Sequence, residues 1–387
     1  MEQLFQFSFL ELVVAGITTV LFVILLLYWL ISYSRPLRRA RREETIEPTQ
    51  PPVSVIVYAK NESENLQKNL PALLTQDYPE YEVVVINDGS TDESDDVLKR
   101  FELEYKHLYH TYIPEDVKYL SRKKLALTVG IKAAKHDILL FTEANCKPLS
   151  SDWIASVAGK YKANTEIVLG FCAYGHHKGF LHRLIAYDNL KEGLQMFTSA
   201  LVRKPYTGNG RNLSYLKALF FQHKGYQRSL ALHAGDDDLF VNESANKRNT
   251  EVVYMPNSIV EMNRIERFKI WKEMKVSRAA TKRYYKGGSL PFFRMEEVLF
   301  FLFVLAVIAS VVVGLSGNWL IAVLAGLLYL IRFVVKVVIF HKSSKLLKQK
   351  PPGGWLLLLE IIAPLFDVYV RIYRLFRGKN DYTFRMG

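Results

Sequence analysis

The stretch from Pro51 to Asp92, PPVSVIVYAKNESENLQKNLPALLTQDYPEYEVVVINDGSTD, decides the fold. Val53 to Tyr58 is a short apolar, β-branched run directly after two prolines, which favours a buried strand over a helix. Ser63 is a candidate helix cap, and leucines at helical spacing follow it. Glu82 to Ile86 is a second buried, β-branched run. The stretch therefore predicts a strand, a helix and a second strand.

An acidic residue follows each of the two predicted strands, Glu62 after the first and Asp88 after the second. Open parallel sheets bind ligands in the crevice beyond the carboxyl ends of their strands, so both carboxylates are expected at one crevice. The tetrapeptide Asn87 to Ser90 is also ordinary turn chemistry. Taken alone, it is compatible with a turn that has no binding role.

The chain has 387 residues and a formal net charge of +13, and its basic residues cluster beside apolar stretches. Phe9 to Tyr33 is mostly apolar and is followed by an arginine cluster that begins at Arg35. Charges after the apolar stretch, rather than before it, indicate an uncleaved anchor with its basic end in the cytoplasm. This distribution favours membrane lipids as partners and not nucleic acid, for which no motif is present.

Two further apolar stretches, Val298 to Leu315 and Trp319 to Phe340, predict a transmembrane hairpin. Arg332 and Lys336 lie in the second stretch, and we expect them to snorkel towards the interface. Trp355 to Tyr369 is shorter and has basic clusters on both sides, which favours a re-entrant or interfacial segment over a full span.

Four more segments carry candidate chemistry. The run Asp137 to Thr142 predicts a strand that ends at Glu143-Ala144-Asn145, whose first and third side chains lie on the same side of an extended backbone. The other three are a basic helix start at Arg122-Lys123-Lys124, a glycine-rich run at Gly208-Asn209-Gly210, and three successive acids at Asp236-Asp237-Asp238. Each of these three patterns also has an ordinary structural explanation, as a solvated helix start, a loop and a helix amino-terminal cap.

The order of these motifs from about Pro52 to Tyr285 resembles that of membrane-bound, inverting family-2 glycosyltransferases. The resemblance implies an α/β fold of the GT-A type, which is a Rossmann-like nucleotide-sugar domain. It also implies that Asp88 contacts the donor base, that Glu62 lies in the neighbouring acidic loop, and that Lys123 approaches the nucleotide.

In that family an Asp-x-Asp motif holds a divalent cation, Mg²⁺ or Mn²⁺, against the donor diphosphate. The matching residues here are Glu143 and Asn145, and the neutral amide of Asn145 removes one negative charge from the site. The resemblance therefore implies a metal site with weakened affinity.

The resemblance also assigns the catalytic base to Asp237, with Asp236 as its neighbour, and the floor of the acceptor or donor-sugar pocket to Gly208, Asn209 and Gly210. Polysaccharide synthases of the family carry a Gln-x-x-Arg-Trp motif near the segment Phe268 to Tyr285. One register places Lys275, Arg278 and Ala279 on the motif and the other places Met274, Ser277 and Arg278 there, and neither keeps the full motif. The resemblance implies that Arg278 meets the donor diphosphate, but the tryptophan that stacks on the acceptor sugar is absent. The departure weakens the case for processive polymerisation.

These observations predict an amino-terminal anchor, a basic linker, a GT-A domain, an interfacial helix region, a transmembrane hairpin and a basic tail, with the boundaries 1–34, 35–50, 51–265, 266–295, 296–341 and 342–387. The expected function is transfer of a sugar from a nucleotide sugar, with a UDP-sugar favoured, to a lipid or glycan acceptor at the cytoplasmic face of the inner membrane. A processive synthase and a catalytically silent assembly subunit remain open, as do the donor sugar and the oligomeric state.

Overall fold

The computed structural model describes residues 7–41, 50–115 and 121–377. Ten strands and thirteen α-helices are assigned within these ranges. The strands are β1 Val53–Ala59, β2 Tyr81–Asn87, β3 Leu108–Tyr112, β4 Ile138–Glu143, β5 Cys146–Pro148, β6 Ile167–Leu169, β7 Cys172–Tyr174, β8 Leu213–Leu216, β9 Thr250–Val252 and β10 Val260–Met262. The helices are α1 Phe9–Leu27, α2 Arg35–Ala40, α3 Ser63–Leu74, α4 Ser94–Glu104, α5 Arg122–Ala133, α6 Trp153–Ala158, α7 Phe180–Leu201, α8 Lys217–Gln222, α9 Asp238–Ser244, α10 Phe268–Thr281, α11 Ser289–Ser316, α12 Trp319–Leu346 and α13 Leu356–Phe376.

Seven strands form the central sheet in the order β3-β2-β1-β4-β8-β6-β9. The first four run parallel, with Val55 of β1 level with Val83 of β2 and with Leu140 of β4. Strand β8 is antiparallel to β4 and to β6. Since β1, β2 and β4 are buried along almost their whole length, the apolar runs at Val53, Glu82 and Asp137 are confirmed as core strands.

Helices α3 and α5 carry the expected apolar faces, but the amino-terminal cap of α3 differs from the expectation. Ser63 is the first helical residue, and Glu62 takes the cap position, but its side chain accepts no hydrogen bond from a backbone N–H of the first turn. The charged segment Glu93 to Leu108 has apolar residues at helical spacing, but helix α4 ends at Glu104 because Leu108 enters strand β3 beside β2. Gly130 of α5 lies so close to Ile86 that an added Cβ would stand 2.4 Å from its Cδ1, which fixes the helix tightly on the sheet.

Three helices among the described residues are long and apolar enough to cross a membrane: Phe9–Ala40, Ser289–Ser316 and Trp319–Leu346. They pack on one another, and Thr18 and Ser310 share a hydrogen bond of 2.9 Å between their hydroxyls. The first helix continues through Arg35 to Ala40, so the expected linker begins later than residue 35. The rest of that linker, residues 42–49, and the tail 378–387 lie outside the described residues.

The carboxyl-terminal segment is a single helix, α13, which is longer than the predicted segment Trp355 to Tyr369 and is not among the candidate spans. The expectation that Arg332 and Lys336 snorkel is wrong. Both side chains are buried, with 0% and 2% exposure, and both pair with Glu360 of α13, at 2.6 Å and 2.8 Å. A carboxylate on a neighbouring helix keeps these two cations inside the bundle.

The apolar helices are also fixed to the sheet domain through α7. The Gln195 side chain donates to the Tyr33 hydroxyl at 3.0 Å, and the Thr198 hydroxyl donates to the carbonyl of Ser32 at 2.9 Å. Lys336 donates to the hydroxyl of Tyr187 at 3.0 Å. Helix α7 is thus buried on most of its surface and joins the two parts of the chain.

Candidate active site

The candidate site lies beyond the carboxyl ends of β1, β2 and β4. A cavity of about 280 Å³ is lined there by Tyr58, Lys123, Glu143, Gly210, Asp236 and Asp237, together with apolar and aromatic side chains. The strand ends, the start of α5, the glycine-rich segment and the acidic cluster therefore meet in one place. The sequence motifs that are far apart along the chain line a single cavity.

Asp88 is buried at the end of β2, with 1% exposure, and has three partners. The Tyr58 hydroxyl donates to Oδ2 at 2.8 Å, and Arg122 lies 2.9 Å (Nε) and 2.8 Å (Nη2) from Oδ1. The ammonium of Lys60 stands 3.8 Å from Oδ2. Gly89 has a φ of 60°, and a Cβ there would lie 2.8 Å from Nη2 of Arg122, so the turn glycine leaves room for this arginine.

Lys123 and the preceding residue, Arg122, contact different carboxylates. Its ammonium donates to Glu143 at 2.7 Å and lies 3.2 Å from Asp236. Consecutive residues at a helix start face different directions, and for this reason Arg122 reaches Asp88 while Lys123 reaches the end of β4. No motif predicts that Arg122 contacts Asp88. The only sequence signal for this role is that Arg122 stands beside Lys123 and Lys124 at a helix start.

Glu143 is held between two cations, Lys123 on Oε1 and Arg211 on Oε2, the latter at 2.8 Å. Burial alone would raise the pKa of Glu143, but Arg211 and Lys123 outweigh burial and lower it to about 2. The carboxylate is therefore ionised at any physiological pH. Arg211 directly follows the glycine-rich run, and this is the only sequence signal for its role.

Asp237 lies at the start of α9 and is bound from three sides. Its Oδ2 accepts from the backbone N–H of Gly210 at 2.9 Å and from Nη2 of Arg278 at 3.1 Å, and its Oδ1 accepts from the N–H of Asp238 at 2.7 Å. Burial raises the pKa of Asp237, but Arg278, Lys123 and the two backbone hydrogen bonds outweigh burial and lower it. Asp237 is thus an ionised carboxylate, which is the state that a proton acceptor needs.

The two acids beside Asp237 have different surroundings. Asp236 is buried next to Lys123, whereas Asp238 accepts from the hydroxyls of Thr281 and Tyr285, the latter at 2.8 Å. Burial and the neighbouring Asp237 charge raise the pKa of Asp238. Asp238 ties α9 to the segment after α10 and turns away from the cavity lining.

The glycine-rich run is a loop, since β8 begins only at Leu213. The carbonyl of Gly208 accepts from Nη1 of Arg278 at 3.2 Å, and Gly210 packs so closely that an added Cβ would lie 3.2 Å from Cβ of Asp237. The side chain of Asn209 accepts from the N–H of Arg211 and shapes the loop. The run therefore positions Asp237 and Arg278.

Glu62 is not brought into hydrogen-bond contact with Asp88. Its carboxylate accepts from the side-chain amide of Asn65, whose own oxygen accepts from Asn263. Burial raises the pKa of Glu62, and the charge of Glu143 raises it further. Glu62 lies in the electrostatic field of the site and not in the lining of the cavity.

The expected metal ligands are a carboxylate and an amide two residues apart. Asn145 accepts from the thiol of Cys146 at 3.2 Å, and Glu143 already has a cationic partner on each oxygen. Among the described residues, no group of three or more His, Cys, Asp or Glu side chains could hold a metal ion. The hard oxygen donors fit Mg²⁺ or Mn²⁺ only as part of a shell that the donor diphosphate would complete.

Comparison with known proteins decides the family. The sequence model of Glycosyl transferase family 2 matches residues 54–221, a range that contains Asp88, Lys123, Glu143 and Arg211. Residues 54–221 form a family 2 glycosyltransferase domain. The acidic cluster and Arg278 lie beyond the matched range, and the structure brings them to the glycosyltransferase domain through the fold.

Two relatives resemble parts of the glycosyltransferase domain. Glycosyltransferase AglE of Haloferax volcanii is 37% identical over 102 residues, which are 26% of this chain and 32% of that protein. Poly-beta-1,6-N-acetyl-D-glucosamine synthase of Staphylococcus epidermidis is 27% identical over 119 residues, which are 31% of this chain and 28% of that protein. The chain thus matches about a third of the length of each relative.

A solved structure resembles nearly the whole chain in fold. The mannosyltransferase PcManGT from Pyrobaculum calidifontis, solved in complex with GDP-Man and Mn²⁺, aligns with a TM-score of 0.55 at 17% identity. The alignment covers 94% of this chain and 99% of that one. At this identity the likeness concerns the fold, and it confirms the GT-A architecture.

Proposed function

We propose that this chain is a membrane-anchored glycosyltransferase that transfers a sugar from a nucleotide sugar to a lipid or glycan acceptor, with inversion. The observation that carries the proposal is the single cavity in which an ionised Asp237 faces Lys123 and Glu143. Its position beyond the carboxyl ends of the parallel strands is where such sheets bind nucleotides. The catalytic domain in this proposal is residues 51–265.

The donor would bind with its base near Asp88 and its diphosphate near the basic side chains of the cavity. Asp88 is an acceptor for base or ribose donors, and Arg122 and Tyr58 orient it. Lys123 and Arg211 provide fixed positive charge next to the cavity. Such preorganised charge stabilises the negative charge that develops on a departing diphosphate.

Asp237 would act as the general base. It would take the proton of the acceptor hydroxyl while that oxygen attacks the anomeric carbon of the sugar and the bond to the diphosphate breaks. The nucleoside diphosphate leaves on the opposite face, so a single displacement inverts the anomeric centre. Arg278 and the N–H of Gly210 hold the Asp237 carboxylate in place for this step.

A divalent cation belongs to the proposal, with Glu143 and Asn145 as its protein ligands. When bound, it would neutralise charge on the leaving diphosphate. The known presence of Mn²⁺ in the PcManGT complex supports a metal in this fold. Because the side chain of Asn145 is neutral, Lys123 and Arg211, which pair with Glu143, would neutralise a larger share of the charge on the leaving diphosphate.

The three apolar helices support the membrane placement. The sheet domain would lie in the cytoplasm, because the helix ends that carry the basic residues adjoin this domain. Helix α13 would lie at the interface. Its large apolar side chains, such as Leu357, Leu365 and Ile372, are exposed on one face. An amphipathic helix of this kind buries that face among lipid acyl chains.

The experiment that tests the proposal is a transfer assay with the full-length protein in native membranes. UDP- and GDP-sugars labelled in the sugar are supplied one at a time, and lipid and glycan fractions are separated. Label should appear in one fraction with the wild type and not with the Asp237→Asn variant. Nuclear magnetic resonance of the product then gives the anomeric configuration, and retention of the donor's configuration would refute the single displacement.

A further inference from the structure

A second cavity of about 630 Å³ lies between α7, α10, α11 and α13, separate from the lining of the active site. Apolar side chains line part of it, among them Leu290, Phe293 and Val370. Most of the remaining lining is charged. The basic members are Lys191, Lys275, Lys282, Arg294 and Arg371, and the acidic members are Asp188, Glu192, Glu297 and Asp367.

The acids of this cavity are all engaged by bases other than Arg294. Lys275 lies 2.8 Å from Asp188 and 2.9 Å from Asp367. The two remaining acids each have two basic partners. Glu192 pairs with Lys282 at 2.8 Å and with Lys275 at 3.4 Å. Glu297 pairs with Lys191 at 3.0 Å and with Arg371 at 3.6 Å. The ion pairs use every carboxylate that lines the cavity.

Arg294 is the basic residue left over. Within the parts of the chain that the structure describes, its guanidinium makes no hydrogen bond or ion pair, although it is partly buried and lines the cavity. The charged side chains that act on it most are Arg371, Glu297 and Asp367, in that order. Arg294 and Arg371 line the same cavity, and no described carboxylate of that cavity lies within ion-pair distance of Arg294, so an anion bound there would give its guanidinium a direct partner.

The position of the cavity indicates the kind of anion. Arg294 lies near the start of α11, a candidate membrane span, and Arg371 lies on α13, whose exposed face is apolar. The cavity thus lies where the apolar part of the fold meets the charged part. A ligand with an anionic head and an apolar tail matches both the guanidinium pair and the Leu290, Phe293 and Val370 wall.

We propose that this cavity binds the phosphate group of a membrane lipid, with Arg294 and Arg371 as the donors to that phosphate. The proposal rests on the membrane placement given above and not on sugar transfer. Arginine suits this role because its planar donors match a phosphate and it keeps its charge. The lipid is a bulk phospholipid or the acceptor itself.

Helix α10 connects the lipid-phosphate cavity to the active site, which matters if the bound lipid is the acceptor. Lys275 lines the lipid-phosphate cavity, and Arg278, one helical turn later, contacts Asp237. Glu192, which pairs with Lys275 and Lys282, is also among the charges that act on Arg278. The α10 wall of the lipid-phosphate cavity therefore lies about one helical turn, or ~5 Å along α10, from the arginine that holds the base.

The test uses the full-length protein in a neutral detergent, with bound lipid counted by native mass spectrometry. The probes are phosphatidic acid and dodecyl phosphate, with diacylglycerol and dodecanol as phosphate-free counterparts and inorganic phosphate as a free anion. We expect the two phosphate-bearing lipids to bind and their counterparts not to bind. Loss of one charge-assisted hydrogen-bonding group in Arg294→Gln should weaken binding about tenfold or more.

The matched control is Lys342→Gln, which removes a positive charge from an exposed position on α12 outside the cavity and should leave binding unchanged. Arg294→Lys, which keeps the charge, should retain part of the affinity, and an unchanged Tm of the detergent-solubilised protein shows that each variant is folded. Equal binding by the phosphate-free lipids, by inorganic phosphate, or by a folded Arg294→Gln protein would overturn the proposal. Lipid binding without any sugar transfer would instead count against the proposed function alone.

Discussion

The guanidinium of Arg278 joins the Asp237 carboxylate, at 3.1 Å, to the carbonyl of Gly208, at 3.2 Å. An arginine from the segment after the acidic cluster is thereby bound to the candidate base. The sequence resemblance suggests Arg278 as the arginine of a Gln-x-x-Arg-Trp motif, and Arg278 lies at the candidate site although no tryptophan follows it. Its position affects both the orientation and the charge of Asp237.

The first prediction concerns the identity of the base. Asp237→Asn keeps the size of the side chain and removes its ability to take a proton, so turnover should fall about 10²- to 10⁴-fold. Binding of the nucleoside diphosphate should change little, because Asp237 touches no residue of the Asp88 site. Steady-state transfer and calorimetric titration of the same preparations measure the two quantities. A larger loss of turnover in Asp236→Asn than in Asp237→Asn would move the base to the neighbouring acid.

The second prediction concerns pH. Burial raises the pKa of Asp237 and Arg278 lowers it, so Arg278→Gln should raise this pKa. A general base works only when ionised, and the acid limb of the kcat/KM profile should therefore move to higher pH in the variant. Arg278→Lys keeps the charge and should move the limb less. An acid limb that does not move in Arg278→Gln would show that another group controls it.

The third prediction concerns the metal. Asn145→Asp restores a second carboxylate two residues from Glu143, and added ligand charge strengthens binding of a hard cation. The affinity for Mn²⁺ in the presence of the nucleoside diphosphate should rise, as measured by electron paramagnetic resonance of free Mn²⁺. Asn209→Asp, a substitution in the glycine-rich loop, is the matched control. Equal Mn²⁺ affinity in the wild type and in Asn145→Asp would remove Asn145 from the ligand set.

The fourth prediction concerns the buried ion pairs of the helical bundle. Glu360→Gln leaves Arg332 and Lys336 buried without a carboxylate, and loss of one partner of a buried pair costs about 3–5 kcal/mol. The Tm of the detergent-solubilised protein should fall clearly. Glu266→Gln removes an exposed partner of Arg264, a surface pair worth at most about 1 kcal/mol, and should leave the Tm nearly unchanged. Similar Tm values for both variants would show that Glu360 is not needed to neutralise the two cations.

The strands of the site could be predicted because their signal is local. Val53 to Tyr58 and Glu82 to Ile86 are uninterrupted β-branched runs between loop residues, and such runs in a parallel sheet are buried on both faces. Asp88 comes just after the second of these strands, and Glu143 comes at the end of a third run, Asp137 to Thr142, because the end of a buried strand reaches the edge of the sheet. The positions of these two carboxylates needed no tertiary information.

The partners of those carboxylates could not be predicted in this way. Arg122 and Lys123 are adjacent, and only the orientation of α5 on the sheet decides that the first reaches Asp88 and the second Glu143. Arg211 reaches Glu143 from a loop whose path depends on close packing at Gly210. The burial of Arg332 depends on its partner Glu360, which lies 28 residues further along the chain. The sequence around Arg332 therefore does not predict it.

The most direct test of the central claim is calorimetric titration of the detergent-purified full-length protein with UDP and with GDP, each with and without Mn²⁺. A nucleotide site at the buried Asp88 predicts binding of one nucleoside diphosphate, its loss in Asp88→Ala, and its retention in Asp96→Ala, which removes an exposed acid of α4. Binding that strengthens with Mn²⁺ would add the cation to the site. A folded wild-type protein that binds neither nucleotide, or an Asp88→Ala protein that binds as well as the wild type, would contradict the claim.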